Sequence, residues 1–590
     1  MKPKEIVETL RFLGPILWNA IRSGQIFNPA CELTPPDPDI LCEYDVAVPI
    51  SEGFSLTANI FRSQKAADRG EKVPVIMCAH PYDNHLIPAL GKTPLNGPPQ
   101  QYRLIPQSGG KPTFSTLTSW ESPDPNFWVP AGYAVVNLNL PGFANSDGPP
   151  SVFSEHQAKC FYEAIEWIAK LGWSTGKVGL NGVSFLAITQ YHVAACQAYG
   201  GPPPSLKCIS PWEGITDLYH DLFAAGGLTE IGFPTFWYNT EVRETINGPL
   251  EAFLETEGSI PTEYLEKHPF YDDFWKEKAA KLEEIDLPML VCGSFSDHGL
   301  HTFGSFRAYE KGTSPHKWVY THRLGKWVAY YSPEVQQMTK EFMDCFLKDD
   351  TSSGFLDTPT LRLEVRSSRD GIHEVRHEDA WPIARTQYSK LFLDQDQSPI
   401  LSRISPTFEK SIAYPAKNGK TAFNIKFDEV TELSGYMKLR IWVEARQNHA
   451  GDIQPDDMAI FVAVNKLDRN GDTVHFYGSV GNSKDMVTRG SLRVSRRELN
   501  LEASTEWLPV LSGLSERKLK ANEIVPVDIA LYPSSTFFKA GESLQLIVSS
   551  DEIIPSPPYK KLVDFNHGQH LLHFGGRYDS YLQVPVVPQG

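Results

Sequence analysis

Apolar and polar positions follow two different rhythms along this chain. In the first 355 residues, short apolar runs alternate with helical patterns. YDVAVPI (44–50) and FSLTANIF (54–61) alternate like paired strands around the turn SEG, while VPVIMCAH (73–80) and YAVVNLNL (133–140) are continuously apolar, as buried central strands are. A helical stretch from Glu155 to Leu171 leads into the strand KVGLNGV (177–183), and a second helix is expected from Phe185 to Ala198. The pattern resumes at LPMLVCGSF (287–295) and WVYTH (318–322) and closes on a helix with Val335, Met338, Phe342 and Phe346 on one face. Strands alternating with helices predict a mainly parallel α/β sheet.

Between these stretches, residues 211–285 read as aromatic-rich helices, among them Trp212, Tyr219, Phe223, Trp237 and Trp275, and form a cap inserted over the sheet. Residues 83–125 are rich in proline, glycine and polar residues, a long loop of the kind that covers a functional site. Beyond residue 360 the helical rhythm gives way to alternating segments such as LRLEVRS, MAIFVAVNKL and ESLQLIVSS, which predict an all-β sandwich or jelly roll. The expected organisation is an N-terminal helical arm (1–40), an α/β catalytic domain (41–355) and a β jelly-roll domain (356–590). In the arm, Ile6, Leu10, Leu13, Leu17 and Ile21 form a helical stripe that packs on its own fold or on a second subunit, so a homo-oligomer fits the pattern.

A length of 590 residues exceeds what one hydrophobic core supports, in keeping with this division. The net charge of −16 argues against nucleic acid and anionic membranes as partners. Arg11 and Pro15 interrupt the apolar run at the N-terminus, no run is long enough to span a bilayer, and there is no Asn-x-Ser/Thr sequon. Eight scattered cysteines read as buried thiols of a reducing compartment, so the expected location is cytoplasmic.

Candidate chemistry centres on Asn181-Gly182-Val183-Ser184-Phe185, where a buried strand gives way to a helix. This is the setting of a nucleophile elbow, and Gly182 is required because the turn leaves no room for a side chain there. A serine nucleophile needs a base oriented by an acid, in the chain order Ser, Asp/Glu, His. Asp297 follows a strand end and supplies the acid; His322 ends the next strand and is assigned the base, with His298, His301 and His316 as neighbours competing for the role. The Phe185 amide is one expected oxyanion donor, and the Tyr82 phenol is a candidate for the second, with a packed core tyrosine as its alternative reading. Trp212 and Trp237 are nominated to line the substrate pocket.

At these residues the chain resembles the CocE/NonD hydrolases, cocaine esterase and its relatives, which share architecture with the X-Pro dipeptidyl-peptidases. The resemblance rests on Pro81-Tyr82, on Gly182-Val183-Ser184-Phe185, on Ser296-Asp297-His298-Gly299, on Trp212-Glu213-Gly214 with Asp217, and on Pro533-Ser534-Ser535 and His573-Phe574-Gly575-Gly576 in the second half. It implies an α/β-hydrolase with a jelly-roll domain, Tyr82 as an oxyanion donor and Asp297 as the catalytic acid. The sequence departs from the family pattern at Leu186-Ala187, at Leu140 to Ser146, and in the histidine loop Thr321 to Trp327.

Asp468 to Asp472 suggests a calcium loop but lacks its closing glutamate and reads as a hairpin turn. His567, His570 and His573 are spaced by three, which does not place them on one strand face, so no metal is assigned. No cofactor is required. The expected activity is hydrolysis of an ester, with amides or lactones as further substrates, through an acyl-enzyme on a small molecule. Two other readings stand beside it: an acyltransferase or cyclase of small-molecule metabolism using the same triad, and a catalytically silent ligand-binding protein.

Overall fold

The computed structural model describes residues 31–86, 109–479, 482–555 and 558–588, with four isolated positions among the first 22. The expected amphipathic stripe lies, apart from Ile21, outside the described residues, as do residues 87–108 of the long loop. Within the stretch expected to be a helical arm, Glu32–Thr34 is instead a short strand, paired in parallel with Thr113–Ser115.

Eight strands build the first sheet: β1 (Ile40–Pro49), β2 (Ser55–Ser63), β3 (Val73–His80), β4 (Ala134–Asn139), β5 (Ser174–Val183), β6 (Leu206–Trp212), β7 (Met289–Ser294) and β8 (Lys317–His322). Their spatial order is β1-β2-β4-β3-β5-β6-β7-β8, antiparallel through β2 and β4 and parallel from β4 onward. The central strands are buried on both faces, which is why they read as unbroken apolar runs. Helices α1 (Glu155–Ala169), α2 (Phe185–Ala194), α3 (Thr302–Lys311) and α4 (Pro333–Leu347) cover the sheet. Ser154 caps α1 through the Gln157 amide (3.1 Å), and Pro333 opens α4 behind Ser332.

The cap is less regular than its aromatic pattern suggests. Its longest helix is Leu250–Glu257, and the rest is built of shorter helical turns. Prolines and glycines break the helices, and cohesion comes from aromatic packing instead. Trp275 is fully buried, with its ring 5.3 Å from both Tyr219 and Phe223.

The second half is a β sandwich. Thr431–Arg446 pairs with Val525–Phe538, Gln569–Phe574 and Tyr581–Val587 in one sheet; Ser543–Ser549 pairs with Lys420–Lys426 and Ala459–Leu467 in the other. Leucine, isoleucine and valine side chains fill the space between the sheets. Asp468 to Asp472 forms the turn after Ala459–Leu467, closed by the Gly471 amide on the Asp468 carbonyl at 3.0 Å.

Strand β9 (Leu361–Arg366) pairs in parallel with β8 and touches Val525–Phe538, so the hydrogen-bonded network runs from one half into the other. Arg366 fastens this junction. Fully buried, its guanidinium donates to the Phe295 carbonyl (3.0 Å), the Val487 carbonyl (3.1 Å), the Ser535 carbonyl (3.2 Å) and the Ser534 hydroxyl (2.8 Å). Phe295 lies two residues before Asp297, so this tie also supports the loop that carries chemistry. Replacing Arg366 by Met strands these acceptors without water and is expected to lower stability by at least about 3 kcal/mol, read as a fall in thermal or urea midpoint.

Candidate active site

Ser184 sits at the tip of β5 with φ +60°, a strained value for a residue with a side chain, and α2 starts immediately after it. The turn is tight at Gly182, where an added Cβ would lie 2.6 Å from the Leu186 Cβ. Leu186, which departs from the small residue expected there, is therefore accommodated by the absence of a side chain at position 182.

The Ser184 Oγ lies 3.1 Å from Nε2 of His301, and Nδ1 of that ring bonds to Oδ2 of Asp297. The structure thus brings together Ser184 and Asp297, but with His301 rather than His322. The assignment of His322 as base is corrected. Its Nε2 is 2.8 Å from Oε1 of Glu213, its ring stacks on Trp212 at 5.5 Å, and it has no contact with the serine. The reason lies in the loop after β7. Gly299 (φ +101°) lets the chain turn back at once, with the Leu300 amide returning to the Asp297 carbonyl at 3.3 Å. His301 and Asp297 then stand side by side at the start of α3. The available signal was Gly299 between them, which permits the tight turn that brings residues four apart together.

Two further groups contact the Asp297 carboxylate. Ser479, from the β domain, donates to Oδ1 at 2.6 Å, and the Lys326 ammonium is 3.2 Å from Oδ2. Lys326 is also 3.2 Å from Nδ1 of His301, but that nitrogen carries the hydrogen given to Asp297, so the carboxylate is the acceptor for the ammonium. Burial alone would raise the Asp297 pKa, yet Lys326, His301 and Ser479 hold it well below the usual carboxylate range. Burial, and then the charge of Lys326, pushes His301 down to about 4, so the imidazole is neutral and free to accept a proton near neutrality. Neither Lys326 nor Ser479 was found from sequence. A lone lysine beside Trp327, and a serine in a loop of the other domain, carry no pattern that points to Asp297.

Tyr82 follows β3 in a pinned loop. Its amide donates to Nδ1 of His80 (3.2 Å), and Asn84 is anchored to the Asn139 side chain (2.9 Å) and to the Asn137 carbonyl (2.7 Å). The Tyr82 hydroxyl accepts from the Trp237 indole at 3.1 Å, leaving its own hydrogen available. Burial, reinforced by Glu241 and Glu121, keeps this phenol protonated. The Phe185 amide is the first of α2, where N–H groups have no acceptor within the helix.

An apolar pocket opens at Ser184, lined among others by Phe153, Ile188, Leu222, Phe236, Trp237 and Leu300. Trp237 is in it; Trp212 is not. Trp212 is 1% exposed at the end of β6, packed on Tyr320, His322 and Tyr330, and its carbonyl accepts from the Ser184 amide at 3.0 Å. Two carboxyl groups also face this pocket, Glu121 and Glu241. Glu121 (φ +63°) accepts from the Trp327 indole at 2.9 Å with one oxygen, while its other oxygen is buried without a hydrogen-bond partner. A larger cavity of about 980 Å³, between the cap and the β domain, includes none of Ser184, His301 or Tyr82.

Among the described residues, Glu213 with Asp297 and His301, and Glu213 with Cys292 and His322, are grouped closely enough to hold a metal ion. In the first trio the shared carboxylate already faces a fixed ammonium. In the second, burial keeps the Cys292 thiol protonated, whereas a metal binds the thiolate. Neither trio fits a metal well. None of the eight cysteines forms a disulfide, and among the described residues no helix is long and apolar enough to cross a membrane.

An elbow serine in contact with a histidine that is itself held by an aspartate, at the carboxyl edge of a parallel sheet, defines an α/β-hydrolase. Comparison with known proteins agrees: residues 52–328 match the X-Pro dipeptidyl-peptidase (S15 family) model, and residues 353–583 match the X-Pro dipeptidyl-peptidase C-terminal non-catalytic domain. The chain superimposes on a CocE/NonD family hydrolase from Staphylococcus aureus with a TM-score of 0.80 and 34% identity, covering 93% of this chain and 94% of the other. It is 24% identical to the cocaine esterase of Rhodococcus sp. (strain MB1 Bresler) over 92% of this chain and 98% of the esterase. It is also 27% identical to a putative Xaa-Pro dipeptidyl-peptidase of Streptomyces avermitilis over 29% of this chain and 25% of that protein. The chain belongs to the CocE/NonD family of hydrolases.

The charge of Lys326 bears directly on the proton acceptor. Lys326→Met removes a cation that disfavours imidazolium, so the acid limb of Ser184 reactivity, expected near pH 4 in the native enzyme from His301, is expected to move up by roughly one unit or more. A pH profile of the rate of Ser184 labelling by a fluorophosphonate measures it.

Proposed function

We propose that the chain hydrolyses carboxylic esters of small apolar molecules through an acyl-enzyme on Ser184. The observation that carries this reading is the 3.1 Å contact between Ser184 Oγ and a neutral His301 at the mouth of an apolar pocket. His301 takes the serine proton as Oγ attacks the carbonyl, and Asp297 holds the ring in the tautomer with Nε2 open. The Tyr82 hydroxyl and the Phe185 amide hold the developing oxyanion. His301 returns the proton to the leaving alcohol, and water, activated by the same ring, releases the acid. Transfer of the acyl group to an alcohol or amine, or ring closure, would use the same intermediate. Product analysis with and without added nucleophile separates these outcomes.

Ser184→Ala and His301→Ala are each expected to lower kcat by about 10⁶ and to abolish labelling by a fluorophosphonate. Tyr82→Phe is expected to cost about 10²–10³ in kcat while leaving KM nearly unchanged. Labelling of His301→Ala at the native rate would remove this assignment.

A second reading concerns the substrate. Glu121 and Glu241 face the same pocket, and burial raises both to about 8, with the charge of Glu121 adding to the rise at Glu241. Carboxyl groups in this state become anions when a basic nitrogen enters, so the pocket favours acyl groups that carry an amine. Relatives named as putative Xaa-Pro dipeptidyl-peptidases give this reading support. Glu241→Gln is expected to raise KM about tenfold or more for an aminoacyl ester and to leave KM for the matching uncharged ester within about twofold. Parallel kinetics on the two esters decides it.

A further inference from the structure

Close to Asp297 lies a second buried acid that the triad does not account for. Glu213 follows β6, is inaccessible to solvent, and holds φ +52°, a strained value for a residue with a long side chain. One of its oxygens lies within 4.8 Å of an Asp297 oxygen and of a His301 ring nitrogen. Its Oε1 is 2.8 Å from Nε2 of His322, and its Oε2 has no conventional donor nearby. The groups that face it are Asp297 and His301 from the loop after β7, Cys292 from β7, His322 from β8, and the Lys326 charge from the loop beyond. Glu121 adds a more distant carboxyl. Beyond His322 stand Glu364 and Arg362, both on β9.

Charge counting decides the state of this cluster. It contains two buried carboxyl groups within 4.8 Å of each other and one cation, Lys326, which is in ion-pair contact with Asp297. Cys292 stays a thiol and His322 a neutral imidazole, since burial disfavours the charged form of each. One ammonium stabilises one carboxylate, and Asp297 holds that position with Ser479 and His301 also donating to it. The second acid must keep its proton, and the nearest charged acceptor for that proton is Asp297.

We propose that Glu213 is a positioning residue of the triad: a neutral carboxylic acid that donates a hydrogen bond to Asp297 and accepts one from His322. The hydrogen-bonded series then runs Ser184, His301, Asp297, Glu213, His322. This proposal rests on the triad reading above. A neutral donor on Asp297 draws off part of its negative charge and so reduces its support for protonated His301. Removing the donor makes Asp297 a stronger partner and raises the pH at which His301 protonates. An ionised Glu213 would act in the opposite sense, because its loss would remove an anion from beside His301.

The experiment compares the full-length wild type with Glu213→Gln and Glu213→Leu. The glutamine amide can still donate to Asp297, so Glu213→Gln is expected to keep kcat/KM within about threefold, with an unshifted acid limb. Glu213→Leu is expected to lower kcat about 10- to 100-fold at nearly constant KM, as loss of a hydrogen bond to a charged group does, and to move the acid limb upward. An infrared difference spectrum of wild type against Glu213→Gln at neutral pH should show one protonated carboxyl band present only in the wild type. That spectrum decides the question alone if Glu213→Leu does not fold. Absence of the band, a downward shift of the limb in Glu213→Gln, or a folded Glu213→Leu with an unmoved profile would each overturn the proposal. Fluorophosphonate labelling of His322→Gln, expected to persist, and of His301→Ala, expected to vanish, separates failure of this proposal from failure of the triad.

Discussion

An ionised carboxylate sealed from water imposes its requirements on everything around it, and in this chain that carboxylate is Asp297. Burying such a charge without partners costs several kcal/mol at the least, so donors must surround it. They come from three places: the His301 ring from its own loop, the Lys326 ammonium from the loop after β8, and the Ser479 hydroxyl from the β domain. The third donor explains why the two halves must keep a fixed relation. Were the β domain to drift, Asp297 would lose a hydrogen bond that nothing in the α/β half supplies. Arg366, which joins the carbonyl of Phe295 to β-domain backbone, holds the same loop from the other side.

Strain follows the chemistry. Ser184, Glu121 and Glu213 all hold positive φ, and each presents a polar side chain to the pocket or to the triad. Backbone in this region costs on the order of 1–3 kcal/mol per residue and persists only where surrounding structure imposes it. Here that structure is β-sheet. Ser184 and Glu213 directly follow the adjacent strands β5 and β6, and the Glu121 carbonyl accepts from the Val183 amide at 3.3 Å. The rigid strand ends pay for conformations the loops alone would not keep.

The sequence carried the strands and the elbow well because burial on both faces leaves continuous apolar runs and because a nucleophile elbow requires Gly182. It carried the histidine poorly. A base on the loop after the next strand fits the chain order of the fold, and His322 stands at that place; the compact turn at Gly299 was needed to bring His301 forward instead. His322 and Trp212 look like site residues because they occupy strand ends at the active edge. Their rings instead stack on one another, and the His322 imidazole meets Glu213 rather than the serine. Trp237 differs because it sits on a cap helix and so meets the pocket from above. Lys326 and Ser479 were invisible because their importance is purely spatial, fixed by tertiary packing across 29 and 182 positions from Asp297.

The position of Lys326 also changes how the triad stores charge. A buried Asp–His pair without a nearby cation has one negative charge at rest and none once the imidazolium forms. Here the pair and the ammonium together are neutral at rest and, in the proposed mechanism, gain a positive charge when His301 accepts the serine proton. That charge needs an anion close by, and in the proposed mechanism the anion arises in the same step, as the oxyanion between Tyr82 and the Phe185 amide. A resting site poor in negative charge thus makes proton transfer favourable chiefly when a carbonyl is present to take up the electrons of the serine oxygen. Unproductive ionisation of Ser184 in the empty pocket is suppressed by the same arrangement that permits attack.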